Sequence, residues 1–76
     1  MSDILVPTDA WEDDREAVVV NWLYRSGAEV TEGEVLCEIM YEKVQVDILS
    51  PASGSLLIEK EVDDLVLRGD RLGQVR

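Results

Sequence analysis

Val30-Thr31-Glu32-Gly33-Glu34-Val35-Leu36-Cys37-Glu38-Ile39 returns later in the chain, reduced to its skeleton, as Val66-Leu67-Arg68-Gly69-Asp70-Arg71-Leu72-Gly73-Gln74-Val75. The shared pattern is Val-x-x-Gly-x-x-Leu-x-x-Ile/Val, shifted by 36 residues throughout (30 to 66, 33 to 69, 36 to 72, 39 to 75). An acid follows the glycine in both copies, Glu34 and Asp70. Trp22 and Ile58, separated by the same interval, fall in the segment before each copy. Each copy makes sense alone as a turn followed by a strand. Two copies are too few for a solenoid, so the pattern predicts two similar β-halves closed around one core.

Short alternating apolar segments between Gly, Pro and acidic turns extend this reading along the chain and predict an all-β fold. Ile4 and Val6 alternate before Pro7. Residues 8–16 read as an acidic loop, and residues 18–24 (Val-Val-Val-Asn-Trp-Leu-Tyr) as a strand. Further strands are expected over residues 35–41, from Val44 to the Ser50-Pro51 turn, over 54–61 and over 71–75. No segment has the pattern of a long amphipathic helix.

Seventy-six residues allow one small domain (1–76) with a limited core and little room for a cleft. The chain has no His and a single Cys, Cys37, which removes Ser-His and Cys-His nucleophile pairs, an internal disulfide and the usual zinc ligand sets. A protein without independent catalysis and without a metal is the expectation. The net charge of −10 argues against nucleic acid or an anionic membrane as partner. No apolar run is long enough to cross a bilayer and no signal pattern opens the chain, so a cytoplasmic location is expected, or a mitochondrial one if a transit peptide has been removed. Trp11, Glu12, Asp13 and Asp14 form the centre of the acidic segment. They are either a solvated, solubilising loop or a docking surface for a basic partner with Trp11 as its apolar anchor.

Met40-Tyr41-Glu42-Lys43-Val44 lies between the halves and is expected to cross from one sheet to the other. Strand residues flank Glu42-Lys43, which places these two at a hairpin tip. Neither is Gly, Asn or Asp, so a type I turn is expected in preference to a primed one. A lysine on such a tip is either a solubilising surface group or an amine presented on a rigid base to a modifying enzyme. Alkylammonium groups in water keep their proton at neutral pH. Acylation therefore depends on a ligase that binds the turn, removes the proton and offers an activated carboxylate.

Gly27-Ala28-Glu29-Val30-Thr31-Glu32-Gly33-Glu34-Val35-Leu36-Cys37-Glu38-Ile39, then Glu42-Lys43-Val44, then Ser50-Pro51-Ala52-Ser53-Gly54, resembles the lipoyl domain of the biotinyl/lipoyl attachment family. The family's pattern is G-D-x-V-x-x-G-D-x-L-x-E-I-E-T-D-K-A followed by a Pro-x-x-Gly turn. The resemblance covers nearly the whole chain and keeps its spacing around Lys43. It implies an all-β barrel-sandwich hybrid of two small antiparallel sheets with pseudo-twofold symmetry. It further implies that Lys43, flanked by Glu42 and Val44, carries lipoic acid in amide linkage as a swinging arm, a non-catalytic carrier within a 2-oxoacid dehydrogenase-type complex. The implied partners are a lipoate ligase or lipoyl transferase, a thiamine-dependent dehydrogenase component, an acyltransferase and a flavoprotein reductase. Met40 and Tyr41, beside the lysine, and the loop bearing Trp11 are the implied partner-recognition residues.

The chain departs from the pattern at several places. Met40 replaces a carboxylate, Tyr41 a small residue, Val44 an alanine and Ala28 the aspartate after the first glycine, while Ala17 stands in place of a glycine. A biotinyl domain shares the implied fold, with biotin on the same lysine, but that family sets Met on both sides of it where Glu42 and Val44 stand here. A glycine-cleavage H-type carrier is considerably longer. An unmodified protein-binding module of the same fold is the alternative from a different class.

Overall fold

The computed structural model describes residues 2–9 and 15–76. Trp11, Glu12, Asp13 and Asp14 lie outside the described residues. Eight strands follow in order: β1 (Ser2–Leu5), β2 (Ala17–Trp22), β3 (Glu29–Val30), β4 (Val35–Tyr41), β5 (Val44–Leu49), β6 (Gly54–Ile58), β7 (Leu65–Val66) and β8 (Arg71–Val75). They form two four-stranded antiparallel sheets, β1-β8-β6-β3 and β5-β4-β2-β7. This is the expected two-sheet architecture. No helix among the described residues is long and apolar enough to cross a membrane.

A shift of 36 residues carries Glu29–Val30 onto Leu65–Val66 and Val35 onto Arg71, so β3 answers to β7, β4 to β8 and β2 to β6. The sheet orders map onto each other under the same exchange. The turns repeat bond for bond. Glu34 donates its N–H to the Thr31 carbonyl at 3.1 Å and Asp70 donates to Leu67 at 3.0 Å. In return the acid side chains accept from the backbone, Glu34 from Thr31 at 2.6 Å and Asp70 from Leu67 at 2.8 Å. Gly33 and Gly69 hold φ values of 90° and 85°, the left-handed region open to glycine at little cost. Each glycine N–H reaches an equivalent carbonyl, Ser50 just after β5 at 3.0 Å and Val6 just after β1 at 2.9 Å.

The bulges repeat as well. The register of β4 against β5 shifts between Val35 and Cys37, and that of β8 against β1 between Ile4 and Leu5, which leaves Leu36 and Leu72 as the extra residues. A bulge breaks the in-and-out alternation. Consecutive residues Leu36-Cys37 and Leu72-Gly73 are therefore all buried. All six apolar positions of the repeat after its glycine-bearing turns and before them, Val30, Leu36, Ile39, Val66, Leu72 and Val75, lie in the core. Ile4, Val6, Ala17, Val19, Cys37, Ile48 and Leu56 complete it. Burying one such side chain contributes about 1.5–3 kcal/mol. Trp22 covers the core's margin and donates its indole N–H to the Lys60 carbonyl at 2.7 Å.

Three expectations need correction. The two-residue strands β3 and β7 were not anticipated, because a pair of residues cannot display a period. The strands expected over 18–24 and 54–61 stop at the equivalent positions Trp22 and Ile58. There Leu23 and Glu59 turn their N–H groups to the Leu36 and Leu72 carbonyls at 2.9 and 3.0 Å. Finally, residues 40–44 do not cross between sheets. β4 and β5 pair within one sheet, and the crossing comes after β5, between Ser50 and Gly54. Ser50 is buried, ties its N–H to the Glu34 carbonyl at 2.8 Å, and precedes Pro51, which cannot extend a central ladder.

Candidate functional site

Among the described strands, chain neighbours alternate between sheets at every step except one, β4 to β5. That exception is a hairpin with Lys43 at its tip. β4 is held by β5 on one side and β2 on the other, and the β4–β5 ladder runs from Val35 opposite Leu49 to Tyr41 opposite Val44. Glu42 and Lys43 are the two residues left over. Lys43 is exposed and makes no hydrogen bond or ion pair with the described residues. A primary amine thus stands in water at the end of a rigid ladder.

The tip is not the expected type I turn. Glu42 has φ 53° whereas Lys43 stays out of the positive region, which are the φ signs of a type II′ turn. The physical reason is the length of the loop. A two-residue hairpin must follow the right-handed twist of its strands, and primed turns do so where type I splays them. Placing a non-glycine residue there costs about 1–2 kcal/mol. Arg15 forms an ion pair with Glu42, tying the start of β2 to the tip. Both side chains are solvated, so the pair contributes about 0–1 kcal/mol. Sequence reasoning missed Arg15, for nothing in its neighbourhood signals a partner so far along the chain.

The other residues expected around the lysine divide between two faces. Tyr41 and Val44 share the inward face with Ile39 and Val46; Tyr41 packs half-buried against the core, and Val44 is 59% exposed because the hairpin outruns it. Met40 lies on the outer face, half-buried, opposite Val18 and Gln45. Below the tip, Cys37 is buried. Desolvation, helped by the charge of Glu38, pushes its thiol up to about 12. A thiol so placed is not a nucleophile at neutral pH. No group of three or more His, Cys, Asp or Glu among the described residues could hold a metal ion.

At the base of β4, Glu34 accepts a hydrogen bond from the Tyr24 hydroxyl and another from the Thr31 N–H. These bonds hold its carboxyl below the usual carboxylate range, the Tyr24 bond being the larger cause. The same bond raises Tyr24 above the usual phenol value, with desolvation second. The pair clips the loop after β2 onto the turn that starts β4.

Known proteins resemble the chain in sequence and in fold. The family model described as "Biotin-requiring enzyme", for biotin and lipoyl attachment, matches residues 3–75. The chain is 34% identical over 76 residues to the dihydrolipoyllysine-residue succinyltransferase component of the 2-oxoglutarate dehydrogenase complex of Bacillus subtilis, covering 99% of this chain and 18% of that protein's length. It superimposes on the lipoyl domain of the 2-oxoglutarate dehydrogenase complex of Azotobacter vinelandii, a solution structure, with a TM-score of 0.79 and 31% identity, covering 100% of this chain and 96% of the other. The chain therefore belongs to the biotin/lipoyl attachment family and has the two-sheet fold of a lipoyl domain.

Proposed function

We propose that this chain is a non-catalytic swinging-arm carrier that takes lipoic acid on Lys43 and serves a 2-oxoacid dehydrogenase-type complex. The observation that carries this reading is the position of Lys43, alone at the tip of the one hairpin joining consecutive described strands. The exposed amine, unpaired among the described residues, fits the attachment of a carboxylic acid in amide linkage. A ligase would remove the ammonium proton and supply the carboxylate activated; the C–N bond forms as the activating group leaves. When attached, the lipoyl group supplies a dithiolane for acyl-carrying and redox chemistry. The chain's residues supply the rest. The β4–β5 ladder holds the attachment point rigid, Arg15 and Glu42 fix the tip, and the tether raises the effective concentration of the arm at each partner's site. The two relatives, both from 2-oxoglutarate dehydrogenase complexes, support partners of that kind: a thiamine-dependent dehydrogenase component, an acyltransferase and a flavoprotein reductase.

Incubation with lipoate ligase, lipoate and ATP, followed by intact mass, tests the reading. A single lipoyl increment is expected, absent from Lys43→Arg. An increment placed on Lys60 would defeat the assignment of the tip. A biotinyl increment from biotin ligase would make the chain a biotin carrier, and no increment from either enzyme would make it an unmodified binding module.

A further inference from the structure

The outer face of the sheet β5-β4-β2-β7 carries apolar side chains that the core does not use. Leu65 stands opposite Val18, and Val18 opposite Met40, so the three form one row across three strands. Their strand neighbours Val66, Ala17, Val19 and Ile39 are buried, which puts the row on the solvent side. Leu65 is 59% exposed, and Val18 and Met40 are half-buried. At about 4.8 Å between strands the row is roughly 10 Å long. It ends at Gln45, the partner of Met40 in β5, beside the Lys43 tip.

Carboxylates rim this row. Asn21, Glu38 and Asp47 lie in register as the next row on the same face. Asn21 donates to Glu38 at 3.3 Å, and Gln45 donates to Glu38 at 2.9 Å and to Asp47 at 3.2 Å. Asp63 and Asp64 precede Leu65 at the far end. Met40 itself stands where the family pattern has a carboxylate, so this chain lacks a charge at the tip end of the row while its net charge is −10. An apolar centre inside an acidic rim complements a protein face of the opposite rim. A second copy of this chain does not fit, because it would set carboxylates against carboxylates.

We propose that the Leu65-Val18-Met40 row docks a protein partner whose apolar contact is rimmed by Lys and Arg side chains, holding that partner beside Lys43. The partner is the enzyme that loads the arm, and to that extent the inference rests on the carrier reading. The probe is the purified thiamine-dependent component of a 2-oxoglutarate dehydrogenase complex. With the lipoylated domain as varied substrate, Leu65→Gln is expected to raise KM about fivefold with kcat retained, a loss typical of one interface contact. Leu5→Gln, on the other sheet, leaves KM unchanged, and the KM of the parent rises with ionic strength. A Leu65→Gln KM within twofold of the parent overturns the proposal, as does a lipoylated parent that is not acylated.

Titration of the same component into the ¹⁵N-labelled, unmodified domain tests docking without the arm. Selective broadening of Val18, Met40 and Leu65 is expected; broadening confined to residues 42–44 overturns the row. A dimer in sedimentation that Leu65→Gln dissolves would assign the row to self-association and overturns the proposal too. A domain that binds in the titration but takes no lipoyl group refutes the carrier reading and leaves the docking face standing.

Discussion

The strand after the first turn, β4, runs two residues longer than its counterpart β8, and those two residues lead into the candidate site. β8 ends at Val75, the counterpart of Ile39, where it meets Ser2 of β1. β4 continues through Met40 and Tyr41 into the Lys43 hairpin. The glycine turns, the bulges at Leu36 and Leu72 and the buried repeat positions are shared, whereas β2 has a further bulge at Val20 that β6 does not repeat. The repeated part provides the base, and the candidate site sits on a piece that the second half does not reproduce among the described residues. Symmetric positions therefore become controls for each other: where the halves differ at one equivalent residue, substitution shows what the difference does.

The largest expected effect is at Cys37 and Gly73, both of which follow the bulge leucine and are buried. Cys37 has room for its side chain. At Gly73 an added Cβ would collide with the Leu57 carbonyl oxygen of the adjoining strand, a backbone atom that cannot rotate away. Gly73→Ala is expected to destabilise the domain by about 3 kcal/mol, the cost of overpacking against a fixed neighbour. Cys37→Ala loses one buried sulfur and costs about 1 kcal/mol. Urea midpoints measure both. Equal losses would mean that β8 sits no closer to β6 than the first half's equivalent pair does.

The second difference sets a pH window. Glu34 and Asp70 both accept the turn amide, but Glu34 also accepts the Tyr24 hydroxyl, and Lys60 stands at the position equivalent to Tyr24. The Glu34 carboxyl is lowered from 4.5 by Tyr24 and then by the Thr31 amide. The unfolded chain thus binds its proton more readily than the folded one. This stability is complete above about pH 4.5 and is lost as pH falls through the folded value. Tyr24 is raised from 10.0 by the bond to Glu34 and by desolvation. Its share is complete below about pH 10 and is lost as pH rises through the folded value. Melting temperatures followed from about pH 3 to about pH 11 should fall at both ends, and Tyr24→Phe should flatten both limbs. A Tyr24→Phe profile parallel to the parent's would remove the Glu34 clip from the account.

Much of this was legible in the residues because the repeat couples sequence to burial. Val30, Leu36, Ile39 and their counterparts lie in the core, and the strands expected over 35–41 and 71–75 have those bounds. The bulges were not legible, since Leu36-Cys37 and Leu72-Gly73 violate the alternation that a strand reading assumes. The place of Lys43 at a tip followed from polar residues between two alternating runs, whereas the turn type did not. There strand twist overrides residue preference, and Glu42 takes a positive φ that its chemistry does not advertise. Arg15 and the Leu65-Val18-Met40 row were hidden for a shared reason: both are contacts across strands distant in sequence, visible only once the register is known.

The smallest effects come from the turns before β3 and β7. Gly27 and Asp63 occupy equivalent left-handed positions, φ 93° and 77°, and the next residues are Ala28 and Asp64. Both turns close with the same bond, Ala28 N–H to the Arg25 carbonyl at 3.0 Å and Asp64 N–H to the Glu61 carbonyl at 3.1 Å. Only the second adds a side-chain cap, the Asp64 carboxylate accepting the Glu61 N–H at 2.8 Å. Each half thus holds one advantage, glycine in the first and the cap in the second. Asp63→Gly relieves the left-handed strain and is expected to stabilise by about 0.5 kcal/mol, after the extra chain entropy of glycine is counted. Ala28→Asp gives the Arg25 amide the acceptor that Glu61 already has, worth about 0.5–1 kcal/mol. The sites lie on different turns with no shared partner, so the gains should add within a few tenths of a kcal/mol. Thermal melts of both single variants and the double decide it: a neutral Ala28→Asp would show that the Asp64 cap is incidental to its turn, and that glycine alone is enough to close the first.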